Sequence, residues 1–505
     1  MIYQEAEHGK LDNGRLQSFV PAVTHGAGND GTVLQLSVNV DPGRLRGTFP
    51  VNYYSLESEN RLFFCARVDV DTEDEGWIDS DEFEWEVTPW SACRAGDCPY
   101  ADGSVGERTR EVRCSHPAVV RGAARFSEGV RKAGDADAEI PEGACDGKPK
   151  PATRDSCPPP SCNGGPWSSW AAGVSDGDSV ALPKGMTGEV VLDVDKPALN
   201  ALEIGSTLRV GDVQRVRLTA DSVLVGDGGS LLAGSAESPY DGSFEVLLTS
   251  RWNPVVSRSV EDGVHGLGAT VKSVHLFRGG RMALYGRTVT SWTRLAEHGL
   301  AGAQEVVVLD GSGWRVGDEL VIVNSDFYDV EGDDGDMNER RRIERISDDG
   351  KRVRLDAPLR VSHYGAGGPA RIGDVDGRGG REVDMRAEVA LLTRSVRIRG
   401  ADEDDEDDGP SFFGGHVVMH QGASGMGLRH VEVGPNMGQA GRLGRYPIHF
   451  HRVGRANEAT FVEGGSIHDT FQRSITVHDT QALSIKNTVT YNARGHAIFL
   501  EDGTE

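Results

Sequence analysis

A chain of 505 residues with 66 glycines and only 37% apolar residues is too long for one compact domain and too glycine-rich for a helix bundle. Glycine supplies the positive φ angles of tight turns, so the composition points to turn-rich β structure. A formal charge of −25 argues against broad nucleic-acid binding, which needs clustered Lys and Arg, and no run of 18 or more apolar residues offers a transmembrane helix.

Residues 1–80 carry strand-like runs, among them Thr32-Val33-Leu34-Gln35-Leu36-Ser37-Val38 and Leu62-Phe63-Phe64-Cys65-Ala66. They hold too little apolar material for a core of their own and read as part of a larger β module. Cys65 reads either as a buried free thiol or as half of a bridge whose partner lies outside this chain. Met1-Ile2-Tyr3-Gln4-Glu5-Ala6 has neither the basic nor the apolar region of a signal peptide, and the far end stops as a strand finishes. The chain therefore reads as a fragment at both ends, which leaves open an anchor elsewhere in a longer protein.

Six of the seven cysteines, Cys93, Cys98, Cys114, Cys145, Cys157 and Cys162, fall in one short stretch, without His at zinc-finger spacing. The set reads as a disulfide framework and implies an oxidising compartment, extracellular or at the cell surface. Spacing alone leaves the pairing open. Trp85-Glu86-Val87-Thr88-Pro89-Trp90-Ser91-Ala92-Cys93, followed by Gly106-Glu107-Arg108-Thr109-Arg110-Glu111-Val112-Arg113-Cys114, resembles a thrombospondin type 1 repeat over about residues 84–163. The sequence departs from that family by a long insert between Cys114 and Cys145. The resemblance implies bridges Cys93–Cys157, Cys98–Cys162 and Cys114–Cys145. It also implies a cation–π stack of Trp85, Trp90, Arg108 and Arg110 in place of a conventional core.

From Gly164 onward, short β-branched or leucine-rich runs are broken by glycine, as in Leu202-Glu203-Ile204-Gly205-Ser206-Thr207-Leu208 and Val223-Leu224-Val225-Gly226-Asp227-Gly228-Gly229-Ser230-Leu231-Leu232. The pattern is turn, strand, turn, with Asp176, Asp178 and Asp193 as turn formers. These residues resemble the G8 domain over about 166–290, with Leu192-Asp193 and Pro239-Tyr240 at family positions. The resemblance continues through Ser291-Trp292-Thr293-Arg294-Leu295, Gly313-Trp314-Arg315-Val316-Gly317-Asp318-Glu319-Leu320 and Ala387-Glu388-Val389-Ala390-Leu391-Leu392-Thr393-Arg394 to the cell-surface and secreted hyaluronidases and the fibrocystin-like receptors. It implies an all-β chain with a right-handed parallel β-helix, here expected over residues 291–505 and truncated at its C-terminal end. Some members of that group bind and depolymerise hyaluronan with calcium implicated, whereas others are large surface receptors.

The acidic runs Glu331-Gly332-Asp333-Asp334-Gly335-Asp336 and Glu403-Asp404-Asp405-Glu406-Asp407-Asp408 read as solvated loops. Their oxygens are of the kind calcium takes, although neither run has the spacing of a calcium-binding loop.

Near the end one strand is written three times, in Tyr446-Pro447-Ile448-His449-Phe450-His451, Ser474-Ile475-Thr476-Val477-His478-Asp479 and His496-Ala497-Ile498-Phe499-Leu500-Glu501-Asp502. With Ile448, Ile475 and Ile498 in register, the copies recur at about one solenoid coil. A second set of strands lies between them, with Ile467 aligned to Val489. Alternation buries Ile448 and Phe450 and turns His449 and His451 outward. Two outward columns follow, one of His451, His478 and Glu501, the other of Arg452, Asp479 and Asp502. Stacked strands lie roughly 4.8 Å apart, so column neighbours can share a proton, a metal or a sugar.

Glu501, Asp502 and Asp479 are the candidate carboxyls for glycosidic hydrolysis, and His451 or His478 the candidate acid or base. Arg442, Arg445 and Arg452, with His449, could hold a uronate carboxylate; the alternative is a set of solvated arginines balancing nearby acids. Adjacent coils also bring His451 and His478 within reach of one transition-metal ion. The competing reading makes the columns structural ladders that hydrogen-bond from turn to turn. Two functions are consistent with the sequence: binding and depolymerisation of an extracellular acidic polysaccharide, or an adhesion or receptor ectodomain that contacts matrix or cell-surface proteins. The outward chemistry favours the polysaccharide.

Overall fold

In a computed structural model the chain divides into two compact units, Met1–Asp79 with Gly122–Pro141, and Ser80–Arg121 with Glu142–Glu505. The structure describes the backbone of five strands between residues 2 and 66, then residues 84–101, 103–115, 145, 148–249, 272–325, 337–365, 370–372, 381–402 and 412–501. The Cys65 thiol, the acidic runs at 331–336 and 403–408, and Asp502 lie outside the described residues. In the first unit, Leu62–Ala66 pairs antiparallel with Ile2–Glu5 and Asn52–Ser55, and Leu16–Thr24 pairs with Val33–Val40.

The second unit is dominated by a parallel β-helix whose later coils run over three faces. One coil runs His416–His420, Gly425–Arg429, Val431–Val433; the next runs Ile448–Arg455, Phe461–Glu463, Ser466–Thr470; a third runs Ile475–Gln481, Ser484–Lys486, Val489–Ala493. Every pairing between these coils is parallel. Along the first face, Leu182, Ile204, Val225, Leu276, Met419, Phe450 and Val477 stand one above the next. These seven line a single apolar core down the helix axis. Coils begin at Asn163–Pro166 and Ser179–Leu182, so the glycine-punctuated region is itself helical. Its glycines allow the turns to close: a Cβ at Gly229 would sit 2.0 Å from the Ile204 carbonyl oxygen, and one at Gly280 2.0 Å from that of Val225.

Ile448, Ile475 and Ile498 stand in register as expected. The intervening strand is offset by one residue, because Ser466 pairs with Val489 and Ile467 with Thr490. The physical reason is a covered outer face: Val489 and Tyr491 pack outward against Val321, Ala390 and Leu392, so apolar residues there do not mark the inside.

The expectation of unbroken coils from residue 291 is corrected. Between Arg281–Tyr285 and Val396–Gly400 the chain leaves the helix and builds an antiparallel six-stranded sheet, in the order Trp292–Arg294, Glu388–Leu391, Glu319–Ile322, Glu339–Ile346, Arg352–Leu355, Glu305–Val307. It has its own core, including Leu295, Trp314, Leu320, Ile343, Val353 and Leu391. Period-2 alternation is identical in parallel and antiparallel strands. The hairpin signal was the Asp348-Asp349-Gly350 turn, where Gly350 adopts φ 69°.

Ahead of the helix, Glu84–Val87 pairs with Val112–Ser115 and Gly106–Thr109 with Arg154–Cys157. The bridges are Cys93–Cys157, Cys98–Cys162 and Cys114–Cys145. Arg108 and Arg110 lie over the Trp90 ring at 5.1 and 4.3 Å, and Lys150 lies 5.1 Å over Trp85. This thin module docks on the first coils through an Arg94–Glu203 ion pair at 2.7 Å and a Cys98 N–H donated to the Lys184 carbonyl. Among the described residues no helix is long and apolar enough to cross a membrane.

Phe244 is fully buried in the helix core. Phe244→Ala is expected to cost about 3–5 kcal/mol, read as a lowered urea midpoint against wild type.

Candidate functional site

The outward positions of the first face gather six histidines from four coils. Val417 and Met419 point into the core, so His416 and His420 point out; the same alternation turns out His275, His449, His451 and His478. His420, His451 and His478 stand in one column. The ring centroids form an unbroken chain: His416 to His275 at 5.4 Å, His275 to His420 at 5.1 Å, His420 to His451 at 5.7 Å, and His451 to His478 at 4.8 Å. His449 flanks the last pair, 5.0 Å from His451 and 6.0 Å from His478.

Gly444, Arg445 and Tyr446 lie against this face. The Arg445 guanidinium lies 2.8 Å from His416 Nε2, and the Tyr446 hydroxyl donates to Glu501 at 2.8 Å. Glu501 continues the histidine column, its N–H donating to the Val477 carbonyl. Its carboxylate lies 3.5 Å from His478 Nδ1 and 3.9 Å from His449 Nε2. Arg473 completes the group, with its guanidinium 3.7 Å over Phe499 and 3.1 Å from the Tyr446 hydroxyl.

Burial, reinforced by the neighbouring imidazole of His451, pushes His449 down to about 3 and His420 down to about 4. His275 and His416 also fall well below the usual range, chiefly through burial. These imidazoles are neutral at physiological pH. They can accept a proton, donate one, or hold a metal.

Of the expected site residues, the structure brings together His449, His451, His478, Glu501 and, through His416, Arg445. Arg442 lies 5.9 Å over the Phe413 ring. Arg452 and Asp479 sit one residue beyond the column at left-handed kinks, φ 53° and 43°, where Gln481 reaches Asp479 at 3.5 Å. His275, His416, His420, Tyr446 and Arg473 were not singled out from the sequence. The alternation in His416-Val417-Val418-Met419-His420 is the signal that could have found two of them.

Comparisons with known proteins agree with this architecture. The family model described as CEMIP beta-helix matches residues 412–505, the segment that carries most of the histidine face, and the G8 domain model matches residues 167–296. Fibrocystin-L of Homo sapiens is 31% identical over 364 residues, 65% of this chain and 8% of that protein. This chain is a G8-domain protein of the CEMIP and fibrocystin-like group. Cell surface hyaluronidase CEMIP2 of Homo sapiens is 33% identical over 240 residues, 43% of this chain and 16% of that protein. Cell surface hyaluronidase of Danio rerio is 34% identical over 209 residues, 39% and 14% of the two chains. The chain thus spans less than a fifth of the length of each of these relatives. A tailspike of an Acinetobacter baumannii bacteriophage aligns with 57% of this chain and 48% of its own at 10% identity, with a TM-score of 0.16 that carries no argument.

The third face of this G8-domain protein uses its outward column differently. Arg217, Glu245, Arg397 and Glu432 stack in register with alternating sign. Beyond them, His468 lies 3.4 Å from Glu432 and 2.8 Å from Asp469, and Arg340 of the inserted sheet reaches Asp469 at 2.7 Å. Burial works to lower His468, but hydrogen bonds to Asp469 and Glu432 outweigh it and raise His468 to about 9.

A raised histidine pKa stabilises the fold fully below its unfolded value near 6.5, and that contribution is lost as pH rises through about 9. Wild-type stability is therefore expected to fall between those limits more steeply than in His468→Gln. Urea midpoints measured across this window test it; parallel profiles would show that His468 is not the titrating group.

Proposed function

We propose that this chain is part of an extracellular or cell-surface protein that binds an acidic, hyaluronan-like polysaccharide along the histidine face and depolymerises it there. One observation carries the reading: guanidinium groups of Arg445 and Arg473, the Tyr446 hydroxyl, the Glu501 carboxylate and a chain of imidazoles converge on one outward face of a protein whose net charge is −25. Arginine pairs with planar carboxylates through two parallel hydrogen bonds, which suits a uronate. His451 and His478 are proposed to pass a proton at a scissile oxygen or ring carbon. Glu501 is the carboxyl within reach of both His449 and His478. Arg442, Arg452 and Asp479 are proposed as further sugar contacts, and calcium as an aid to glycan binding.

The names of the hyaluronidase relatives support this reading, as do three disulfides, which persist in oxidising compartments. The disulfide module over 84–163 is proposed as a thrombospondin type 1 repeat that supplies protein contacts. The G8 region over 166–290 forms the first coils. A second reading, a rigid fibrocystin-like receptor ectodomain, is favoured by the breadth of the fibrocystin-L match.

Incubating hyaluronan and sulfated polysaccharides with the protein, with and without calcium, and sizing the glycan by size-exclusion chromatography separates the two. Shortening that drops at least tenfold in the His451→Ala, His478→Ala double variant is expected. Arg445→Ala is expected to weaken glycan retention at least tenfold, in line with loss of a charge-assisted pair. Intact chains together with no glycan retained by the wild type would overturn the polysaccharide reading in favour of the receptor scaffold.

A further inference from the structure

We propose that His449, His451 and His478, closed by Glu501, bind one divalent transition-metal ion of the zinc class. The three imidazoles each offer a ring nitrogen, and these atoms all lie within 4.8 Å of one another. His451 Nδ1 and His478 Nδ1 are 3.1 Å apart. Two nitrogens bound to one tetrahedral zinc at about 2.0–2.1 Å stand about 3.3 Å apart, so this pair needs little movement to share an ion. Glu501 Oε2 lies 3.5 Å from His478 Nδ1 and 3.9 Å from His449 Nε2, near the same tetrahedral edge.

The decisive residue is His449. It is 3% exposed, and its Nδ1 is held 3.1 Å from the Gly444 carbonyl, which accepts the ring proton. That bond fixes the tautomer with a lone pair on Nε2, and Nε2 is buried without a hydrogen-bond partner. An unsatisfied buried acceptor is costly and is uncommon in a folded protein. A ligand histidine whose other nitrogen donates to a backbone carbonyl is the usual arrangement around zinc. Three imidazoles and a carboxylate suit zinc or cobalt better than calcium, which prefers oxygen ligands.

Two coils supply the whole histidine set because His449 and His451 are alternate residues of one strand. The third coil contributes only Glu501, whose longer side chain bridges the remaining step. An ion here would fix the imidazoles against one another and could polarise a sugar oxygen. The inference uses the same face as the polysaccharide reading but does not depend on it, since the ion is held by protein atoms alone; with the ion bound, His451 and His478 serve as ligands in place of the proton transfer proposed above.

The test is titration of the 505-residue chain with Co²⁺ and Zn²⁺ in the absence of glycan. One equivalent of Co²⁺ with the intense visible bands of a tetrahedral site is expected, displaced by Zn²⁺. X-ray absorption at the zinc edge is expected to show nitrogen and oxygen neighbours at about 2.0–2.2 Å. His449→Gln should weaken the affinity at least tenfold, whereas His496→Ala, an exposed histidine elsewhere, should leave it unchanged. Circular dichroism of both variants guards against misfolding, and the wild-type spectrum decides the matter even if His449→Gln fails to fold. No tight equivalent, an octahedral cobalt spectrum, or undiminished binding by folded His449→Gln would overturn the proposal and leave the imidazoles as a hydrogen-bonded ladder. Hyaluronan retention measured with and without one equivalent of Zn²⁺, at fixed calcium, keeps the two readings apart, because glycan can be lost with the metal site intact, and the reverse.

Discussion

The helical unit depends on one constraint, the need of each coil to satisfy its backbone N–H and C=O groups on the coil beneath. Parallel pairing at roughly 4.8 Å then fixes which residues stand above one another, whatever their distance in sequence. Leu276 and Met419 are neighbours in the core column although an entire antiparallel sheet is inserted between them. The same ladder that stacks Leu182, Ile204 and Val225 on the inside must stack something on the outside. The sequence selects what that is, face by face.

On the third face the outward column is ionic. Arg217, Glu245, Arg397 and Glu432 alternate in sign, so Glu245 lies between two arginines and Glu432 stands next to Arg397, with His468 at 3.4 Å. Buried charges are tolerated only in such company. Arg394 makes the same point: it is 4% exposed, and its guanidinium donates to the carbonyls of Leu391, Thr393 and Gly464. Burial lowers its pKa to about 10, yet it stays charged. These contacts bind the inserted sheet to the coils, and Arg340 to Asp469 extends the connection.

How much of this was legible depended on whether pattern and cause coincide. Ile448 and Ile475 could be registered because polar outward His449 and Thr476 follow them, which makes inside and outside distinct; Ile498, between Ala497 and Phe499, followed from the spacing of the copies. Val489 misled by one position because its outer face is covered, so hydrophobicity ceased to mark the core. The antiparallel insertion was invisible to alternation alone, since strands of either sense share period 2. Among the site residues, His451, His478 and Glu501 were found because their coils are consecutive. His275 and His420, whose ring nitrogens meet at 2.8 Å, are 145 residues apart, and no local period relates them. Arg473 and Tyr446 lie on turns, where neither periodicity nor column position applies.

The contrast between the faces explains why imidazoles occupy the first. Unpaired ions would be costly where His275, His416 and His449 are buried, and a ladder of alternating charges would tie up every group in its neighbours. Neutral histidines avoid both outcomes, because burial merely depresses their pKa and leaves lone pairs in place. His449 illustrates the consequence: held by the Gly444 carbonyl at one nitrogen, it keeps the other directed toward His478 and Glu501. Stacking alone would have been served by threonine, as Thr476 on the adjacent coil shows at the position paired with His449. A row of imidazoles that can bind, donate and accept is therefore a chemical feature of this face, beyond what the helix needs in order to stand.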